Sequence, residues 1–542
     1  MSLQGVKMTI HFRFLVKIAI LGFTILFVLL GCFSKKRDFN VVYISLDTTR
    51  YDYIDTGKGA RAYTPALRRY AERSIVFENA FSTSTQTLPS HLSVFTSRYP
   101  HELGVYTNDD KYGHRSKFVS EVFKELGYQT KAIISLGTLN SSTGFQNGFQ
   151  DFQEDLFEEG VFFVPAEAIT SEAIKTVQNL RKDRFFLFLH YSDPHTPYAS
   201  PEVTGEFNIT LDGIPITRFD SYKGTIIKEQ IPIKKGSHML SFEVDHDMSD
   251  FSHFVIRGLI FGEGCSLFTE DLEYSEKLYG GSYKMKNSAA RVRIQCEDES
   301  FIKIFQIIPI LNHKSALEFY RLEVEYMDNS VGRLLRALDD FGLQNNTIVA
   351  IFADHGEGLG EKNGFFGHTR YLNRQFIQVP LILRIPGYEQ KRIHSPVSLV
   401  GLSPTILEIL GIRDEGFVHE KSFSDAILGR SWDDKIIYSF AYDPPGKKHK
   451  LSIIQWPLQC IYHLEDNQVQ KKEHYNLYLS QSFSEKDAVH ESTIQKGYLS
   501  DYLAFQSEFR QLRDIFSLPD GPSHRLDKKG LERLKALGYM DN

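Results

Sequence analysis

The sequence predicts an α/β fold: a parallel sheet sandwiched by helices, with a β-sandwich inserted into it and a smaller C-terminal α+β segment. Two observations predict it. Short apolar, β-branched or aromatic runs are each followed by helical periodicity, the alternation that puts strands in one layer and helices in the layers around it. At 542 residues the chain also exceeds the roughly 250–300 residues at which a single core stops growing, so a large domain with additions is expected. A composition of 42% hydrophobic, 13% aromatic and 24% charged residues excludes disorder, collagen, coiled coil and a multi-span membrane protein. With 62 basic against 68 acidic residues, no global charge steers the chain onto nucleic acid.

Residues 1–37 read as a membrane address. Lys7, Arg13 and Lys17 precede an uncharged run from Ile18 to Ser34, a basic region followed by an apolar one. Its 17 residues are short for a spanning helix and long for a cleaved signal. The run ends Leu29-Leu30-Gly31-Cys32, which resembles a bacterial lipoprotein box, although Leu30 replaces the usual small residue. A lipoprotein is favoured over a signal anchor. Either places residues 38–542 on a membrane surface outside the cytoplasm, where a Cys265–Cys296 disulfide is permitted and Cys460 is left over.

The elements follow in order. Strands are expected at Val41–Leu46, Lys131–Ser135, Phe185–Leu189, Thr347–Phe352 and Pro380–Leu383, and a helix at Phe319–Leu338, where Met327, Val331, Leu334, Leu335 and Leu338 recur at helical spacing. They place the α/β domain in two parts, residues 38–201 and 311–412. Between 202 and 310 the pattern changes to short alternating runs such as Phe207–Leu211 and Leu240–Val244, separated by glycine turns, which reads as the inserted sandwich. Residues 413–542 read as mixed α+β, ending in a helix at Leu526–Leu537.

Ligands of an open parallel sheet bind outside the carboxyl ends of its strands. Three strands end in reactive groups: the first delivers Asp47, the fourth Asp354 and His355, and Phe185–Leu189 leads through His190 to Asp193-Pro194-His195. Singly, Asp47 reads as a turn cap and His195 as a loop histidine. Two carboxylates and an imidazole at one sheet edge instead make a site for a divalent cation, suited to zinc or manganese, with calcium or magnesium also open. Four cysteines, one of them Cys32, supply no thiolate cage, so ligands are oxygen and nitrogen. Thr87 lies where Pro89 marks a helix start. There, free N–H groups favour an anion and a deprotonated hydroxyl, although plain N-capping by Thr87 is the alternative.

These strings resemble the sulfatase family of the alkaline phosphatase superfamily. The resemblance rests on Asn40 to Arg50, Thr64-Pro65-Ala66-Leu67, Phe77 to Phe81, Thr87-Leu88-Pro89-Ser90-His91, Asp193-Pro194-His195-Thr196-Pro197-Tyr198, Asp354-His355-Gly356-Glu357 and Gly367-His368. It spans most of residues 40–412 except the insertion. It implies that Asp47, Asp354 and His355 hold a divalent cation with the nucleophile Thr87. It also implies that His195 and His368 bind the transferred oxyanion, protonate the leaving group or hold a second cation. Arg50, His91, Glu357 and Glu361 are read as supports.

The chain departs from the family where Thr87 replaces the Cys or Ser that becomes formylglycine, where Thr48 replaces a second aspartate, and where His355 follows Asp354 in place of asparagine. These changes resemble the threonine-nucleophile branches, such as nucleotide pyrophosphatases/phosphodiesterases and lipid A phosphoethanolamine transferases. Gly401 stands where the family often has aspartate. The expectation is a metal-dependent hydrolase or transferase acting through Thr87 on sulfuric or phosphoric esters of glycans or lipids. The alternatives are a strict sulfatase acting on sulfated glycans and an inactive sulfatase-fold binding protein. The oligomeric state is left open.

Overall fold

The computed structural model describes residues 39–477 apart from 114–115, 157–162, 200–204, 222–224, 228–229, 246–247, 276–281, 305, 420, 431–435, 444–447 and 466–467. The expected anchor at 1–37, with Cys32, and the expected helix at 526–537 lie outside the described residues. No described helix is long and apolar enough to cross a membrane.

At the centre is a nine-stranded sheet. Across it run Lys391–Ile393, Ile75–Phe81, Gln378–Arg384, Thr347–Phe352, Asn40–Leu46, Phe185–Tyr191, Gln129–Ile133 and Asp151–Gln153, with Val397–Ser398 beside Ile75–Phe81. The expected strands are all present, with ends moved by up to two residues. Asn40–Leu46 is parallel to both neighbours, and its register pairs Ser45 with Phe352 on one side and His190 on the other. Asp47 and Asp354 each lie two residues beyond those partners, so parallel pairing brings both carboxylates to one edge.

One expectation needs correcting. The strand containing Pro380–Leu383 is antiparallel to both Thr347–Phe352 and Ile75–Phe81. The chain leaves Thr347–Phe352 at its carboxyl end and does not cross back over the sheet. It loops at that end, passes the short helix Arg374–Ile377 and re-enters from there. The antiparallel return holds the whole loop, His368 included, at the same edge as Asp354. Ile75–Phe81 was not expected as a strand, because its register shifts between Phe77 and Ala80, and that irregularity puts Glu78 and Asn79 where alternation would require apolar residues.

Two helical groups pack on the sheet: Ala166–Leu180 with His313–Asp340, and Thr87–Thr96 with Leu402–Ile409 and Val119–Glu125. Tyr43 ties the first strand to the second group, edge-on to Phe95 and donating to Ser403 Oγ.

The region from 206 to 311 is built of antiparallel pairs. One five-stranded sheet contains Glu206–Leu211, Ile214–Asp220, Gly236–Val244, Cys265–Phe268 and Ala289–Cys296, and a second five-stranded sheet and a three-stranded one accompany it. Strand Ala289–Cys296 alternates strictly, burying Ala290, Val292, Ile294 and Cys296. Cys265 and Cys296 face each other across neighbouring strands and form a disulfide, and Cys460 is buried elsewhere. Ile437–Asp443, Lys448–Gln455, Leu458–Glu465, which carries Cys460, and Gln468–Asn476 form a four-stranded antiparallel sheet. It docks on the segment leading to Thr87: Phe440 N–H donates to Thr83 O at 2.8 Å and Ser439 Oγ to Ser82 O at 2.6 Å.

Candidate active site

The carboxyl edge of the sheet gathers Asp47, Thr87, Asp354 and His355, all fully buried, with His195 and His368 close by. Ligand atoms of Asp47, Asp354 and His355 lie within 4.8 Å of one another. Thr87 Oγ1 stands 3.5 Å from Asp47 Oδ2 and 3.5 Å from His355 Nε2. The six site residues named from the sequence therefore belong to one cluster, since the His355 and His368 rings are 4.5 Å apart and those of His195 and His368 5.1 Å.

Local structure explains each placement. Thr48 takes a left-handed backbone, φ 57°, unusual for a β-branched residue, and turns the chain sharply behind Asp47. Its hydroxyl faces two carbonyls, Asp47 O at 2.8 Å and Pro194 O at 2.9 Å, so it serves the turn and the neighbouring loop. Asp354 Oδ1 accepts from the backbone N–H of His355 at 2.9 Å and of Thr48 at 3.3 Å. Gly356 is required by space, because a Cβ there would come within 2.0 Å of Gln375 O. A side chain at Gly401 would likewise come within 2.3 Å of Lys421 O, which accounts for the missing aspartate.

The helix start differs from expectation in detail. Gln86 is the N-cap, and Thr87 is the first residue of the helix Thr87–Thr96, so capping by Thr87 is ruled out. The turn is also less open to anions than its sequence implies: Asn108 Oδ1 accepts the Leu88 N–H at 2.8 Å, and Pro89 has none. Among the described residues the Thr87 N–H, the first of the helix, takes no hydrogen-bond acceptor.

His91, one turn along, is clamped. Its Nδ1–H donates to Thr87 O and its Nε2 accepts from Ser45 Oγ, both at 2.8 Å. Burial pushes its pKa down to about 3, which matches this neutral tautomer. Arg50 is equally committed, paired with Asp52 at 2.9 Å and Glu361 at 2.5 Å. Asp193 Oδ1 accepts the Ala166 N–H at the start of Ala166–Leu180, a structural duty.

Sequence reasoning assigned no role to His190. Its Nε2–H donates to Asp47 Oδ2 at 3.0 Å, and burial lowers its pKa to about 4. The available signal was a histidine continuing an apolar run in register with Ser45. Glu357, taken as a support, lies 3.4 Å from His368 Nδ1 through both carboxylate oxygens, and burial raises its pKa well above the usual range.

Burial raises the pKa of Asp47, and it raises that of Asp354 with a further contribution from the Asp47 charge. Two buried acids this close are costly unless a cation sits between them. Asp47 Oδ1 and Asp354 Oδ2 are both buried without a hydrogen-bond partner. Orphaned oxygens from two strands beside a histidine fit a divalent metal ion.

The sulfatase family's sequence profile matches residues 39–412. The chain belongs to the sulfatase family. It is 25% identical over 391 residues to N-acetylglucosamine-6-O-sulfatase of Bacteroides thetaiotaomicron, covering 69% of this chain and 68% of that protein. It is 31% identical over 382 residues to an ulvan-active sulfatase of Formosa agariphila, covering 68% of this chain and 52% of that one. Its fold is similar to the solved structure of BT4656 in complex with D-glucosamine-2-N,6-O-disulfate, with a TM-score of 0.59, 16% identity and coverage of 90% of this chain and 99% of that one. By family the chain is a sulfatase-like hydrolase.

Proposed function

We propose that the protein hydrolyses sulfate esters of a glycan through an unmodified Thr87 nucleophile, at a site loaded with a divalent cation. The observation that carries this reading is the convergence of Asp47, Asp354 and His355 on the hydroxyl of Thr87, all four residues being fully buried. Asp47, Asp354 and His355 would hold the ion together with Thr87. Bound there, it supplies charge stabilisation for the transferred group and favours the alkoxide.

The remaining chemistry belongs to side chains. The proton of Thr87 Oγ1 has a carboxylate acceptor in Asp47 Oδ2 at 3.5 Å, while His355 Nε2 at the same distance would be taken up by the ion. The Thr87 N–H and the helix start behind it favour the anionic centre under attack. Oγ1 forms a bond to sulfur as the ester oxygen leaves, and that oxygen takes its proton from His195 or His368. His195 Nδ1–H is fixed on Thr196 O at 2.6 Å, which sets the orientation of its ring. Burial lowers the pKa of both histidines, and the negative charge of an ester bound beside them opposes that shift. Water then cleaves the Thr87 ester at sulfur and regenerates the hydroxyl.

The glycan substrate is supported by the names of the relatives. A second reading, transfer or hydrolysis of a phosphoric ester, is supported by Thr87 and by His355 following Asp354. We further propose that the chain works outside the cytoplasm, anchored by residues 1–37, a reading supported by the Cys265–Cys296 disulfide.

The test is an assay of p-nitrophenyl sulfate, p-nitrophenyl phosphate and bis-p-nitrophenyl phosphate with zinc, manganese, calcium or magnesium added in turn, beside Thr87→Ala. Metal-dependent sulfate turnover that is lost in Thr87→Ala is expected. Diester turnover alone would move the assignment to the phosphoric ester reading, and silence on every ester with no bound metal would leave the inactive binding protein.

A further inference from the structure

We infer that a second anionic subsite lies beside the catalytic cluster, between the C-terminal four-stranded sheet and the loop carrying His368, and that it takes a sulfate or carboxylate on the sugar next to the ester being cleaved. The inference rests on the sulfate-ester reading above. A cavity of about 300 Å³ opens here, with Arg370, Lys450 and Lys471 on its walls against the single carboxylate of Glu465. Its other walls include Tyr442 and Leu464, an aromatic and an aliphatic surface suited to the C–H face of a sugar ring.

Its cations are held in place. Lys450 lies 4.4 Å over the Tyr371 ring and donates to Arg370 O at 2.5 Å. Arg370 lies 5.8 Å over the Phe365 ring and takes no carboxylate partner among the described residues. Lys471 is engaged by Glu473 at 3.0 Å, so the exposed guanidinium of Arg370 sets the charge of the cavity. A guanidinium suits a sulfate or carboxylate, because its planar fork gives the contact direction, and the Lys450 ammonium on the same loop's carbonyl adds positive charge to the same wall.

Three connections join this cavity to the catalytic cluster. Thr369 lines it and follows His368 in the chain. Thr369 N–H donates to Thr85 O at 3.2 Å, two residues before the nucleophile. Gln86, the N-cap of the nucleophile helix, donates through Nε2 to the carbonyl of Tyr442 at 3.3 Å. The link residue Thr369 has φ 83°, a second β-branched residue in the left-handed region, so the chain holds a costly conformation at the point where it passes from one site to the other.

The experiment uses the full chain and size-matched disaccharides carrying the scissile sulfate with a second sulfate, a uronate carboxylate or a neutral group on the next sugar. Wild type is expected to favour the doubly charged compounds by about tenfold in kcat/KM, mainly through KM, and Arg370→Ala and Lys450→Ala to reduce that preference to near unity. Arg370 is exposed, so its replacement does not threaten folding, and Arg370→Lys should restore part of the preference. A preference kept in both alanine variants, or absent in wild type, overturns the subsite. Calorimetric titration of the disulfated disaccharide into Thr87→Ala, with and without Arg370→Ala, reads the cavity without turnover. About tenfold weaker binding is expected and equal affinity contradicts it. If no sulfate ester is turned over, the function reading fails while the titration still decides the subsite.

Discussion

The carboxyl edge of the central sheet and the inserted β-region exclude water equally well, yet they bury opposite chemistry. At the edge, Asp47, Thr87, His91, His190, Asp354 and His355 are all at 0% exposure. In the insertion, residues just as inaccessible are Leu240, Phe242, Val292 and Ile294, and the large buried polar group Arg257 donates to Gln306 at 3.1 Å. Apolar burial stabilises on its own account, at about 25 cal/mol per Å². Two carboxylates with orphaned oxygens do the reverse until a cation joins them. The edge is thus built for chemistry at a cost in stability, and the insertion for stability.

The largest effect that would break this contrast is the loss of the hydroxyl. Thr87→Ala should lower kcat by about 10³-fold or more, as removal of a nucleophile does elsewhere, with an unchanged circular dichroism spectrum. A variant that stayed active would remove Thr87 from the chemistry. Asp354→Asn should next abolish stoichiometric metal in a dialysed preparation measured by mass spectrometry of the elements. His190→Ala, which removes the group steadying Asp47, should weaken metal affinity by about 10- to 100-fold. Undiminished affinity would make His190 a packing residue only.

Stability should respond to metal and pH in a definite direction. Burial raises the folded-state pKa of Asp47 and Asp354 above the unfolded value of about 3.9, so the metal-free fold loses stability as pH rises through that window. Metal takes the deprotonated carboxylates, and its stabilisation grows over the same range. The Tm difference between metal-loaded and chelated protein should therefore widen from pH 5 to pH 7 (on the order of several degrees), and a gap that narrowed would contradict the cluster's role. The smallest effect on turnover belongs to the insertion. Replacing Cys265 and Cys296 by serine together should cost about 2–4 kcal/mol of stability in chemical denaturation while kcat on a small aryl sulfate stays within about twofold. A large fall in kcat would show that the two regions are not separable.

The site was readable wherever local pattern and chemistry coincide. Asp47 and Asp354 end apolar runs whose parallel pairing follows from the α/β alternation, and His195, His368 and Thr87 sit in motifs. His190 was passed over because it lies inside a strand, and only the register against Ser45 reveals that it faces Asp47. The strand at Pro380–Leu383 was legible but its reversed direction was not, because direction depends on where the preceding loop travels, which apolar runs do not encode. Ile75–Phe81 was hidden by its own irregularity at Glu78 and Asn79. The basic cavity joins residues from loop 365–372 to all four strands of the C-terminal sheet, a juxtaposition that exists only once the chain has folded.

The central claim, that Thr87 itself carries the transferred group, is tested most directly by rapid quenching of a single turnover followed by mass spectrometry of the peptide containing Thr87. The account predicts a transient sulfate adduct on that residue, formed only in metal-loaded protein and decaying as product appears. Turnover at the same rate with the peptide unmodified at every time point would contradict it and hand the attack to water.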